Sequence, residues 1–295
     1  MAPEIGVVRI IDAHVHLYPP EANADPAGWA AARGEAHWAT LCTRRRKDGR
    51  SVQAFPSVDE LLRAMDAAGI ERSVLLGWYW EYQATCIEQN IFYAECVRAH
   101  PDRLAAFATV HPGVDSAALL ELRRAVDDGL IGLGELSPHT QHSLIDPDWT
   151  ELLELAGDLK ISVNLHVTDP TSPPFPGRVE TPLEDFVRLA QAHPRVTFIL
   201  AHWGGGLDIT RLPNVLLDTA AAPLIYGEKI WPRLGRDVPA ERVLFGSDHP
   251  LDLYPRTLPG AGVRPFVEEA ERHVTDAAAR AALLGGNARR LFGWT

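Results

Sequence analysis

The sequence predicts an α/β protein built as a (β/α)8 barrel, the TIM-barrel architecture, and three observations lead there. Eight short β-rich runs alternate with stretches of helical apolar spacing, and the alternation persists to the end of the chain. The 295 residues fall within the range of one such barrel, so residues 1–295 are expected to form one domain. The turn after the first strand reads His14-Val15-His16. The competing arrangement, an open doubly wound sheet, would place a Gly-rich phosphate turn there.

In chain order the strands are expected at Val7–His14, Ser73–Trp78, Ala105–Val110, Ile131–Glu135, Ser162–Val167, Thr197–His202, Val215–Thr219 and Val243–Asp248. The helices between them are expected at Val58–Ala68, Ala84–Ala99, Ser116–Asp127, Trp149–Leu159, Leu183–Ala192 and Leu224–Leu234. Two more, Arg264–His273 and Asp276–Leu284, follow the eighth strand. Two connections break the regularity. Leu17–Pro56 is far longer than an ordinary βα loop and carries the basic run Arg44-Arg45-Arg46-Lys47. Thr168–Pro182 is rich in proline. Both follow strands, which places them on the C-terminal face of a barrel, and the first is long enough to form a lid over the site there.

Composition excludes several classes. Hydrophobic residues make up 46% and charged residues 23%, the balance of a globular protein with a large core. A net charge of −11 argues against a nucleic-acid partner, whose phosphates need a concentrated basic surface. No segment approaches the roughly 20 apolar residues that span a bilayer, and no secretory leader is read at the N-terminus. Cys42, Cys86 and Cys96 form no CxxC pair and are odd in number, so free thiols in a reducing cytoplasm are expected.

Chemistry concentrates at the strand ends. His14 and His16, two apart on a strand, project to the same side, and two converging imidazoles suit Zn²⁺, Mn²⁺ or Fe²⁺. Taken alone, the pair could equally be two hydrogen-bonded structural histidines. His166, His202 and Asp248 change the balance, because each ends a further apolar run where barrel enzymes place catalytic groups. An unpaired imidazole or carboxylate in a core is costly, and a shared metal ion removes that cost. Glu135 ends the fourth strand and reads either as a ligand or as a salt-bridged carboxylate. Trp78, Trp80, Trp203 and His139 follow strands and are candidates for walling a substrate pocket.

These segments, in this order, resemble the amidohydrolase superfamily. Within it they resemble the amidohydrolase 2 branch of metal-dependent enzymes related to aminocarboxymuconate-semialdehyde decarboxylase. The matching pieces are His14-Val-His16, His166, Ala201-His202-Trp-Gly-Gly-Gly206, Phe245-Gly-Ser-Asp248-His-Pro250 and Gly286-Asn287-Ala288 through Gly293, where the asparagine begins the last helix. The resemblance implies that His14, His16, His166 and Asp248 ligate one divalent ion, Zn²⁺ ahead of Mn²⁺ or Fe²⁺. It implies that His202 orients water or stabilises an oxyanion beside them. A bound ion lowers the pKa of water towards roughly 7, and Asp248 can accept its proton. A second ion follows if Glu135 bridges. Relatives of this kind are often dimers, so a homodimer is an expectation.

The expected activity is metal-dependent hydrolysis of an amide, lactone or related carbonyl in a small molecule. The alternative is a non-oxidative decarboxylase or a hydratase acting on an unsaturated or aromatic carboxylic acid, with Arg178, Arg256 and the Arg44–Lys47 run as candidate anion partners. A barrel that binds a ligand without turnover is the third reading, and intact His166 and Asp248 argue against it.

Overall fold

The computed structural model describes residues 9–113, 115–138, 143–255 and 262–294. Eight parallel strands follow one another around a barrel in sequence order. They are β1 (Ile10–Val15), β2 (Ile70–Leu75), β3 (Leu104–Ala108), β4 (Gly132–Leu136), β5 (Ser162–Leu165), β6 (Phe198–Leu200), β7 (Val215–Asp218) and β8 (Val243–Leu244). Backbone bonds from Ala13 to Phe245 (2.8 Å), from Asp248 to His14 (3.0 Å) and from His16 to His249 (2.6 Å) bring β8 back onto β1. The fold is therefore the α/β TIM barrel that the alternating pattern predicts.

The helices are α1 (Pro20–Ala24), α2 (Pro26–Arg33), α3 (Ala36–Cys42), α4 (Val58–Ala68), α5 (Gln83–Ala99), α6 (Asp115–Asp127), α7 (Asp148–Leu159), α8 (Leu183–Ala192), α9 (Ala222–Tyr226), α10 (Arg264–His273), α11 (Ala277–Ala281) and α12 (Asn287–Phe292). Local chemistry explains their ends. Ser57 and Glu60 form a reciprocal capping box at the start of α4, and Gly69 closes it in the left-handed region at φ 72°. Asn287 opens α12 and donates its side-chain amide to Ala240 O and Val243 O, both at 2.7 Å, which ties the last helix to the strand that carries Asp248.

Several boundaries differ from the expected ones, and three of them have a clear local cause. β2 begins at Ile70 and ends at Leu75, so Trp78 lies beyond it. The turn signal at Gly69 starts that strand early, and Ile70 pairs with Ile10. The helix expected over Leu224–Leu234 is a short α9 followed by 3-10 turns through Arg233, because Gly227 (φ 61°) and Pro232 interrupt it. The one expected over Asp276–Leu284 is α11 followed by a wider π turn at Ala282–Gly286, and a Cβ at Gly285 would lie 2.2 Å from Arg9 O. No helix among the described residues is long and apolar enough to cross a membrane.

The insertion after β1 carries a core of its own. Tyr18, Trp29, Trp38 and Trp80 pack edge-on or tilted at 5.0–6.2 Å between ring centroids, with Phe55 at their margin. Each such ring buries roughly 150–250 Å². At about 25 cal/mol per Å² that contributes about 4–6 kcal/mol per ring before entropy is counted. The Glu35 carboxylate reaches across to accept from the backbone N–H of Glu81 (2.8 Å) and Tyr82 (3.3 Å), anchoring α3 to the loop after β2. His37 Nε2 lies 2.8 Å from Gly177 O in the proline-rich loop after β5. The two irregular connections are thereby joined into one docked wall at the barrel mouth.

Candidate metal centre

Six of the strands, with the residues just after them, supply ionisable side chains that meet at the C-terminal mouth. β1 and the residue after it place His14 and His16, whose Nε2 atoms lie 3.2 Å apart. Their other ring nitrogens are occupied: His14 Nδ1 donates to Asp218 Oδ2 at 2.9 Å, and His16 Nδ1 donates to Leu76 O at 3.0 Å. Both Nε2 lone pairs therefore face the same small space. Asp248 Oδ1 lies 3.7 Å from each of them. Glu135 Oε2 lies 3.9 Å from His14 Nε2 and 3.6 Å from His16 Nε2.

The other oxygen of Glu135 faces a second pair. Oε1 is 3.1 Å from His166 Nδ1 and 3.7 Å from His202 Nε2, and those two nitrogens are 3.2 Å apart. His202 Nδ1 donates to Ala220 O at 2.9 Å, which again leaves Nε2 pointing inward. Glu135 thus stands between two sets of nitrogen donors, His14 with His16 and His166 with His202.

The backbone explains why these side chains converge. After β6 the chain makes a left-handed turn, with positive φ at His202 (56°), Trp203 (58°), Gly204, Gly205 and Gly206. Residues with a Cβ rarely enter this region, so the turn stores strain at the functional residue. A Cβ at Gly204 would meet Leu217 at 2.8 Å and one at Gly205 would meet Val167 at 2.9 Å, which accounts for the glycine run. On the opposite side, a Cβ at Gly246 would come within 2.7 Å of His14 Cβ, so β8 approaches β1 closely beneath the site.

Electrostatics follow from burial. Burial alone would discharge His14, but Asp218, Glu135 and Asp248 outweigh it and push the imidazole up to about 10. His16 is pushed down by its burial and by the His14 charge. Burial works to raise Glu135, and the imidazoles of His166, His14 and His202 overcome it and hold the carboxyl well below the usual range. Glu135, Asp248 and Asp218 therefore form a negative pocket that takes up positive charge, from a proton on His14 or from a cation in its place.

The donor set fits a divalent ion. Imidazole nitrogens and carboxylate oxygens separated by 3.2–3.9 Å bracket the spacing of about 3.4 Å expected for atoms bound tetrahedrally to one ion at roughly 2.1 Å. Each inward histidine of the first set has its outer nitrogen fixed by an oxygen, the usual support of a metal-binding imidazole.

Of the residues singled out from the sequence, His14, His16 and Asp248 come together, with Glu135 adjoining them. His166 and His202 meet on the far side of Glu135. Trp78 lines the same cavity as His16, Glu135, His166, His202 and Asp248. Trp80 lies in the insertion core and Trp203 in the main core; neither lines the cavity. His139 and Arg256 fall outside the described residues. Arg178 lines the cavity, and Glu180 engages it.

Two acids escaped notice. Asp218 holds His14 with Oδ2, which Asn164 Nδ2 also reaches at 3.2 Å, and accepts from the His202 and Ala220 N–H groups with Oδ1. It ends the apolar run Val215-Leu-Leu-Asp218, the same signal that marked Asp248. Asp12 is fully buried and accepts from Ser247 Oγ (2.5 Å), Ser247 N (3.0 Å) and His14 N (3.2 Å), linking the first and eighth strands below the site.

Comparison with known proteins agrees with the fold. No curated protein matches the chain significantly. Solved structures with the same fold include 2,6-dihydroxybenzoate decarboxylase from Rhizobium, with 21% identity and a TM-score of 0.64 over 97% of this chain and 98% of that one. A probable 2-pyrone-4,6-dicarboxylic acid hydrolase from Acinetobacter baumannii shares 16% identity and a TM-score of 0.64 over 97% and 99% of the two chains. The 4-oxalomesaconate hydratase of Rhodopseudomonas palustris shares 21% identity and a TM-score of 0.65 over 97% and 96%. A family model described as amidohydrolase matches residues 11–294, from the first strand to the last helix. The chain belongs to the amidohydrolase family.

Proposed function

We propose that the chain is a metal-dependent hydrolase that cleaves an amide, lactone or related ester-like carbonyl in a small molecule. The observation that carries this reading is the position of Glu135, which offers one oxygen to His14 and His16 and the other to His166 and His202. His14, His16, Asp248 and Glu135 would hold one divalent ion, Zn²⁺ ahead of Mn²⁺ or Fe²⁺. Glu135, His166 and His202 offer a place for a second. The bound ion supplies Lewis acidity and brings water near neutrality in pKa.

The protein's own groups divide the remaining work. Glu135 is buried and strongly ionised, so it keeps its charge and serves as a fixed counter-ion. Asp248 has a side chain 17% exposed and faces the cavity, which supports it as the carboxylate that would take a proton from attacking water and return it to the leaving group. His202 and the partly exposed His166 would, when protonated and with no second ion between them, donate to a carbonyl oxygen as it gains charge. Apolar side chains dominate the rest of the wall and limit competing water.

The test is a screen of the metal-loaded protein against aryl esters, lactones and amides, with CO₂ release followed in parallel on aromatic acids. The account predicts hydrolysis that falls at least about 100-fold in Asp248→Asn, compared per equivalent of bound metal. Release of CO₂ without bond hydrolysis would replace this reading with the decarboxylase, and water addition without cleavage would replace it with the hydratase.

A further inference from the structure

Asp12, His14 and His16 stand two residues apart along the first strand and its end, so all three share one face. The two histidines belong to the centre. Asp12 lies one step deeper and is fully buried, and none of the chemistry above uses it. Its oxygens are committed to the turn that carries Asp248. Oδ1 accepts from the backbone N–H of Ser247 (3.0 Å) and of His14 (3.2 Å), and Oδ2 accepts from the Ser247 hydroxyl at 2.5 Å. That hydroxyl oxygen in turn accepts from the His249 N–H at 3.1 Å, and the Asp248 N–H donates to His14 O at 3.0 Å. Three consecutive backbone N–H groups, those of Ser247, Asp248 and His249, are thus held by β1 directly or through one hydroxyl. The turn needs such support, because Asp248 lies at φ 66°, a region that residues with a Cβ rarely enter.

We propose that Asp12, acting through the Ser247 hydroxyl, is the positioning residue that holds the Asp248 carboxylate against His14 and His16. This rests on those three residues holding the ion in the hydrolase reading above. The spacing of 3.7 Å from Asp248 Oδ1 to each histidine Nε2 is then set from below by the Asp12–Ser247 pair. An acid is required because every group that meets Asp12 in this network is a donor, and a carboxylate only accepts. Ser247 is as fully buried as Asp12, which leaves its hydroxyl no solvent partner in exchange. Asp12→Asn keeps an oxygen for the two N–H groups but turns an amide donor towards the hydroxyl. Ser247→Ala removes the hydroxyl and strands the His249 N–H. Each change frees the turn at Asp248 while leaving every donor atom of the centre in the chain.

The experiment is a double-mutant cycle on Co²⁺ affinity, measured by competition with a chelator, with the visible absorption of the bound Co²⁺ recorded for each protein. The proteins are wild type, Asp12→Asn, Ser247→Ala and Asp248→Asn, and each of the first two changes combined with Asp248→Asn. Asp12→Asn and Ser247→Ala are each expected to weaken Co²⁺ binding about 10- to 100-fold and to shift the absorption towards that of Asp248→Asn. In the Asp248→Asn background the same changes should cost less than about 3-fold, because the group they position is already altered. Equal losses in both backgrounds would overturn the proposal and make the pair a support of the β1–β8 seam. Unchanged affinity in both single variants would overturn it as well. If Asp12→Asn does not fold, Ser247→Ala decides alone, since it deletes one hydroxyl. A wild type that takes up no Co²⁺ would remove the metal centre and the proposal with it. Non-additive losses in a protein that hydrolyses nothing would keep the role of Asp12 and remove the hydrolase.

Discussion

Asp218 shows how one side chain organises the centre. Its two oxygens fix the tautomer of His14 and the backbone of His202, so it controls donors on both sides of Glu135 without facing either set of lone pairs itself. Asp218→Asn should therefore weaken metal binding about 10- to 100-fold, the usual cost of losing a supporting carboxylate, while the fold persists. Competition against a chelator of known affinity measures this, and unchanged affinity would remove Asp218 from the centre. The sequence exposes such residues unevenly. His14, His16 and Asp248 are legible because histidines and acids ending apolar runs are rare. The division of His166 and His202 from the first pair is not legible. It depends on Glu135 lying between them, which is set by how β4 and β5 register, and a strand-end acid reads equally as an ion pair.

At the scale of elements, the insertion was legible in length and aromatic content but not in form. Its three short helices fold around Trp29, Trp38 and Trp80 because those rings find one another across loops far apart in sequence. Trp80, read from its position as a pocket residue, is drawn into that core. The tie between insertion and barrel is Glu35, a fully buried carboxylate that burial lifts to about 7, against the lowering effect of bonds from Thr85, Glu81 and Tyr82. A carboxyl whose folded pKa is raised binds its proton more tightly in the native state. Stability is therefore lost as pH rises from the unfolded value of 4.5 to about 7, and is constant above. Glu35→Gln has no proton to lose. Its stability relative to wild type should climb across that window by up to about 3 kcal/mol, read from denaturation midpoints at pH 4.5 and 7.5. A relative stability that falls across the window would mean that the hydrogen bonds, not burial, govern this group.

At the scale of the whole molecule, the barrel was the most legible feature. Eight apolar runs closed by polar residues leave few other ways to bury them, and β1 to β8 follow in chain order as that pattern requires. The same topology explains why one end of the barrel is chemical. Every strand runs toward one mouth, so His14, His16, Glu135, Asp218 and Asp248 concentrate negative charge and imidazole there, with Asp12 buried below them and the core beneath apolar. Burying that many ionisable groups is costly without a compensating cation. Reaction type was the least legible, since the loops that shape a substrate pocket are built apart from the strand ends that could hold an ion.

The most direct test of the account is elemental analysis of the purified protein beside His14→Ala/His16→Ala and Glu135→Gln. The account predicts between one and two equivalents of a divalent transition metal in the native protein. It predicts loss of the ion in the double variant, and a reduced content in Glu135→Gln if both of its oxygens are used. A native protein without metal, still empty after incubation with Zn²⁺, Mn²⁺ or Fe²⁺, would contradict it and return the cluster to a network of buried ion pairs.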